Sequence, residues 1–236
     1  MDAATNAFTT VKSNVGGSSS LDAVGLNIAD GYLYAVQGSA PSRLLRISTA
    51  DGSTQDMGSL NLTTTYNTGV VDESSQYWII NTAGTSWVQI DLRPGLSTFG
   101  RTVASGTSAT PAYAVQDWAW VPGANGGNYL YGLGSTTGLL GGTYLMQWNR
   151  ATKTWANTYT YLNILGLLEG STANWASVWA GQDGTLFGYD NGSGQVYNFV
   201  LPTSGALNLN LLAAQVATGS KASLSDGARC VRVLNG

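Results

Sequence analysis

The chain has 236 residues, with 10 Lys and Arg, 13 Asp and Glu, one Cys, no His and a formal net charge of −3. Without His there is no Ser-His-Asp or Cys-His catalysis and no imidazole metal ligand; one Cys allows no internal disulfide, thiolate cluster or iron–sulfur centre. The basic residues are scattered, which argues against nucleic-acid binding, and no apolar run of about 18 residues exists to span a membrane as a helix.

Only 10% of the residues are charged, against roughly 25% in an average soluble domain. With 31 Gly, 12 Tyr and 8 Trp, the composition is that of a β protein with the uncharged polar surface common outside cells. The first ten residues, MDAATNAFTT, lack the basic and apolar regions of a signal peptide. NAFTTVKSNV (6–15) reads as an outermost strand. Four units follow, each of four short apolar or alternating runs separated by Gly, Asn, Asp and Ser clusters.

The first unit is AVGLNI (23–28), ADGYLYAV (29–36), SRLLRIST (42–49) and STQDMGSL (53–60). The second is TGVVDE (68–73), SSQYWII (74–80), SWVQIDL (86–92) and GRTVASG (100–106). The third is VQDWAWV (115–121), GGNYLYGL (126–133), TYLMQWNR (143–150) and TWANTYTYL (154–162), followed by a loop with a helical turn over 161–170. The fourth is WASVWAG (175–181), QDGTLFGY (182–189), GQVYNFVL (194–201) and LNLLAAQVA (209–217). Tyr32, Tyr77, Tyr129 and Thr185 align these units at a period of roughly 50 residues, which with four strands per unit describes β-propeller blades. The innermost strand of each blade is buried on both faces, bulky aromatics fill the widening wedge, and the outermost strand is more polar.

SLSDGARCVRV (223–233) repeats the inner-strand start SLDAVGLNI (20–28). Residues 1–236 are therefore expected to form a single all-β propeller domain of five blades. The fifth would take its inner strand from one terminus and its outer strand from the other, and would lack its two middle strands. A four-bladed propeller is the alternative.

Carboxylates beside inner strands (Asp22, Asp72, Glu73, Asp117 and Asp226) lie where a propeller channel opens. Convergence of Asp72, Asp117 and Asp226 would suit a ligand, a calcium ion, or the acid and base of glycoside hydrolysis. The competing reading is that they bond backbone N–H groups at blade junctions, and Asp226 pairs with Arg229. Trp118, Trp120, Trp175 and Trp179 are the candidate aromatic ligand-binding residues, set against wedge filling between blades. GLLGG (138–142) and GANGG (123–127) lack the Lys and the following helix of a phosphate loop. Asn61-Leu62-Thr63 and Asn191-Gly192-Ser193 are glycosylation sequons. Cys230 is a disulfide half or a buried thiol.

The runs VKSNVG, LDAVGLNIADGYLYAV, LLRISTADG, VDESSQYW, WVQIDLRPG, DWAWVPG, NYLYGLG and SDGARC resemble a family of secreted fungal proteins with propeller-like repeats and no assigned function. Its members begin with a Cys, a GYLIQ-type strand and an LYRVD-type strand; Met1-Asp2 stands where the second would end. The resemblance implies an extracellular or cell-wall location, makes Cys230 half of a disulfide whose partner is absent, and supplies no catalytic residue. The expected function is a glycan-binding, lectin-like or surface interaction module, with glycans or cell-wall polysaccharide as partners. A structural cell-wall or adhesin domain, or a carbohydrate-active enzyme using the inner-strand carboxylates, is the alternative. No cofactor is expected other than calcium, should the carboxylates converge.

Overall fold

A computed structural model describes residues 10–38, 41–136, 142–156, 159–161, 173–181, 184–202, 213–223 and 225–228. All but Tyr161 of the segment 161–170 expected to hold a helical turn, most of GLLGG, and Arg229 and Cys230 lie outside these residues. The fold is all-β, built of antiparallel blades of the β-propeller type, in two compact units over Thr10–Ser108 and Ala109–Gly227.

The first unit holds two blades. One is β1 (Leu21–Asn27), β2 (Tyr32–Gln37), β3 (Arg43–Ser48) and β4 (Thr54–Ser59); the other is β5 (Tyr66–Val71), β6 (Gln76–Asn81), β7 (Ser86–Asp91) and β8 (Arg101–Thr107). Each is a meander in which neighbours in sequence are neighbours in the sheet. Between the two blades lies a core of Tyr34, Val36, Leu44, Tyr77, Ile79, Val88, Ile90 and Leu92, and burying each such side chain contributes about 1.5–3 kcal/mol. The inner strands β1 and β5 approach closely enough to require glycine. A Cβ on Gly69 would stand 2.2 Å from the carbonyl oxygen of Ala23.

The second unit also holds two blades. The third blade is β9 (Val115–Trp120), β10 (Tyr129–Ser135) and β11 (Thr143–Asn149), with β12 (Thr154–Trp155) and β13 (Tyr159–Tyr161) both paired with β11 on its outer side. The fourth is β14 (Trp175–Ala180), β15 (Leu186–Asp190), β16 (Gln195–Phe199) and β17 (Ala213–Thr218). Every inner strand is irregular in its first half, with register shifts between Asp22 and Gly25, between Tyr66 and Thr68, opposite Gly132–Gly134, and between Trp175 and Ser177. These bulges bend the crowded inner strand and re-aim its side chains.

Two expectations are corrected. The described residues form four blades, not five, as the alternative count has it. Residues 225–228 pack beside Ser177 without forming a strand and residues 10–20 contain no strand either, while the rest of the expected end strands, 6–9, 224 and 229–233, lies outside the described residues. Within 10–20, Asn14, Gly16 and Gly17 all take positive φ, and the Gly17 N–H bonds the Asn14 carbonyl, so the backbone turns where a strand would run straight. The repeat alignment also slips by one residue in the second blade. Leu33, Leu130 and Leu186 pair with Leu26, Trp120 and Ala180 on the inner strands, and the corresponding residue of β6 is Tyr77, paired with Val71. Trp78, not Tyr77, is thus the partner of Tyr34, Tyr131 and Phe187 in the repeat.

Candidate functional site

The candidate carboxylates are occupied by donors of the protein itself. Asp72 follows β5 and is buried; its Oδ1 accepts from the N–H groups of Ser74 (2.9 Å) and Gln76 (3.0 Å), and its Oδ2 accepts from Trp78 Nε1 (2.7 Å). It closes the β5–β6 turn and ties it to the following strand. Asp117, at the β9 bulge, is fully buried; its Oδ1 accepts from the Trp118 N–H (2.8 Å) and its Oδ2 from the Val178 N–H (2.6 Å). That second bond crosses from the third blade to the inner strand of the fourth. Asp226 is half-buried and accepts from the Gly227 N–H at 2.7 Å. Asp22 is half-buried, and desolvation holds its carboxyl above the usual range against a lowering bond from Ser20. Glu73 is exposed. Among the described residues no three Asp, Glu, Cys or His side chains gather as a metal site.

The tryptophans divide into two buried and two half-buried. Trp118 is buried against Trp148 (centroids 5.4 Å apart) and Trp155 (6.3 Å). Trp175 is buried, edge-on to Tyr197 and Phe199, with its Nε1 donating to Thr143 Oγ1 at 3.2 Å. Trp120 and Trp179 are half-buried. Trp179 lies parallel to its cross-strand partner Phe187, with centroids 5.8 Å apart and planes within 3°. Strand pairing sets Trp120, Leu130, Trp148 and Trp155 in one row across the third blade. Leu130 and Trp148 are fully buried, while the indoles at the two ends of the row are half-buried. The Nε1 atoms of Trp118 and Trp120 are buried and find no acceptor among the described residues.

Of the two sequons, Asn61 is exposed at a left-handed turn, its Oδ1 accepting from Ser59 Oγ. Asn191 is buried and its Oδ1 accepts from Ser225 Oγ, so a glycan on its Nδ2 requires that packing to open.

The structure adds polar groups that composition and spacing did not single out. Asn27 is buried; its Nδ2 donates to the Leu92 carbonyl and its Oδ1 accepts from Ser75 Oγ, both at 2.9 Å, joining the first two blades. The Arg46 guanidinium lies 3.6 Å over the Tyr32 ring and 3.2 Å from Asp30, which also accepts from the Tyr34 hydroxyl at 2.6 Å. Asp190 accepts from the N–H groups of Asn174, Gly192 and Ser193. The available signal was an Asp or Asn at a strand end before a Ser-, Thr- or Gly-rich turn, a pattern that Asn81 and Asn149 repeat.

Asp91 carries the clearest pH consequence. The Arg93 guanidinium, with Thr98, the Arg93 N–H and Gln76, holds this buried carboxyl well below the usual carboxylate range despite desolvation. Its contribution to stability is therefore present above the unfolded-state value of about 4 and is lost as pH falls toward the folded-state value. Denaturant titrations from pH 6 down to pH 2 should show a shallower acid decline for Asp91→Asn than for the wild type; equal slopes would count against this assignment.

Fold and site together define an all-β repeat protein of propeller blades in which Asp72, Asp117 and Asp226 accept backbone N–H groups. The chain belongs to the family described as a repeat of unknown function (DUF6923), which matches residues 1–232. No curated protein matches it. Among solved structures it is similar to a streptogramin B lyase, with 8% identity and a TM-score of 0.48 over 90% of this chain and 72% of that one. It is also similar to the hydrazine synthase of Kuenenia stuttgartiensis, with 9% identity and a TM-score of 0.48 over 82% and 65% of the two chains. A catalytically inactive virginiamycin B lyase from Staphylococcus aureus gives 13% identity and a TM-score of 0.45 over 87% and 58%. The chain thus spans less than two thirds of the second and third of these proteins, and likeness at this level carries no functional argument.

Proposed function

We propose that this chain is a non-catalytic, glycan-binding module of the cell exterior, with Trp120 as its principal stacking surface. The observation that carries the reading is the state of that indole. Its ring is half-buried at the inner end of the Trp120–Leu130–Trp148–Trp155 row, and its buried Nε1–H has no acceptor among the described residues. That N–H is shielded from solvent, so a sugar would meet the exposed part of the indole by stacking on its ring rather than through the N–H. Low charge accords with an uncharged polysaccharide ligand, and the resemblance to secreted fungal proteins favours a cell-wall setting. Asp72 and Asp117 are spent on N–H donors, which disfavours both acid–base catalysis and calcium-mediated recognition.

A glycan array run with and without calcium tests the proposal. Binding to neutral glycans, equal in both conditions and lost in Trp120→Ala, is the expected result. Absence of binding to every glycan, or binding unchanged in Trp120→Ala, would overturn it.

A further inference from the structure

Two Asn-X-Ser/Thr sequences occur in the chain, and the fold gives them opposite surroundings. Asn61-Leu62-Thr63 lies in the linker from β4 to β5, which joins the first two blades. Leu60 and Leu62 of that linker are each 9% exposed and belong to the core between those blades. The Leu60 N–H also bonds the Ser42 carbonyl at 2.9 Å. Asn61 and Thr63 alternate with the two leucines and are exposed. The asparagine therefore stands on the solvent side of a backbone segment that the core holds in place.

The local chemistry leaves its amide nitrogen open. Asn61 has a φ of 51°, the left-handed conformation that Asn adopts more readily than most residues. Its N–H donates to Ser59 Oγ at 3.2 Å, and its Oδ1 accepts from the same hydroxyl at 3.0 Å. The side chain is thus oriented through its oxygen, while Nδ2 makes no hydrogen bond among the described residues. Ser59, Thr64 and Thr65 are exposed as well, so uncharged polar surface flanks the point of attachment.

Asn191 has none of this freedom. It is 3% exposed, its Oδ1 accepts from Ser225 Oγ, and its Nδ2 is buried. The hydroxyl of its sequon partner, Ser193, is committed to Asp190 Oδ2 at 2.7 Å. A sugar on Asn191 Nδ2 would occupy space already filled by protein, so attachment there to the nascent chain is incompatible with the folded fourth blade.

We propose that Asn61 is the N-glycosylation acceptor of this protein, and that the folded chain carries its glycan there and not on Asn191. The donor is an oligosaccharide joined through pyrophosphate to a membrane lipid, brought to the chain by the transferase of the secretory pathway. Asn61 Nδ2 attacks C1 of the first sugar. The C1–N bond forms, the C1–O bond breaks, the lipid pyrophosphate leaves with that electron pair, and the amide nitrogen releases one proton. Thr63 supplies the hydroxyl that the acceptor sequence requires. Modification at Asn61 rests on the cell-exterior setting proposed above and is independent of Trp120.

The test expresses the whole chain behind a cleavable secretion signal in a eukaryotic host. Peptide mass spectrometry of the folded, protease-resistant product is compared before and after an N-glycosidase, which converts a glycosylated asparagine to aspartate. Modification of Asn61 alone, lost in Asn61→Gln and in Thr63→Ala but kept in Thr63→Ser and in Asn191→Gln, is the expected result. Thr63→Ala leaves Asn61 unchanged, so it reads the acceptor sequence even if Asn61→Gln misfolds. An unmodified Asn61 in the folded product, a glycan on Asn191 in that product, or modification of Asn61 that survives Thr63→Ala would overturn the assignment. Because the secretion signal supplies the setting, failure at Asn61 bears on the acceptor alone and leaves the Trp120 reading to the glycan array.

Discussion

Asp117→Ala is expected to lose about 2–6 kcal/mol of stability, because it strands two buried N–H donors at about 1–3 kcal/mol each. The donors are Trp118 N and Val178 N, held at 2.8 Å and 2.6 Å by a carboxylate with no exposed surface. The second belongs to β14, so the change also loosens the junction between the third and fourth blades. Asp117→Asn retains one carbonyl oxygen and should fall between wild type and alanine. Urea denaturation followed by tryptophan fluorescence measures both. A loss below 1 kcal/mol for Asp117→Ala would mean that the carboxylate does not hold the junction.

Trp175→Ala is expected to cost about 3–5 kcal/mol, the range for emptying a large aromatic site in a packed core. The ring is 2% exposed, meets Phe199 edge-on at 5.1 Å and Tyr197 at 5.6 Å, and donates to Thr143 on the neighbouring blade. Removing it opens a cavity at the junction and leaves the Thr143 hydroxyl without that donor. Trp175→Phe keeps part of the volume and should recover about half of the loss. Calorimetry should register the difference as a lower transition temperature for the unit over 109–227, and an unaltered transition would contradict the packing described.

The strands were legible because Gly, Asn and Asp turns punctuate runs whose inward positions are apolar. The blade register of β6 was not. In QYWIIN apolar residues fall on both faces, so alternation cannot decide between Tyr77 and Trp78, and a slip of one residue exchanges the faces. Trp118 and Trp120 were legible as sharing a face. That one is buried and the other half-buried depends on cross-strand neighbours, Gly132 for Trp118 and Leu130 for Trp120, which only pairing supplies. For Asp117, the sequence left a ligand role and a backbone role both open. The bond to Val178, 61 positions away, joins two blades whose register no local pattern specifies.

The most direct test sets Asp117→Asn beside Trp120→Ala, measuring unfolding free energy and binding to the best glycan of the array for each. Asp117→Asn is expected to lose stability but to bind that glycan as the wild type does below its transition, while Trp120→Ala is expected to stay folded and to lose binding. The reverse pattern, with binding lost at undiminished stability in Asp117→Asn and retained in Trp120→Ala, would contradict both assignments.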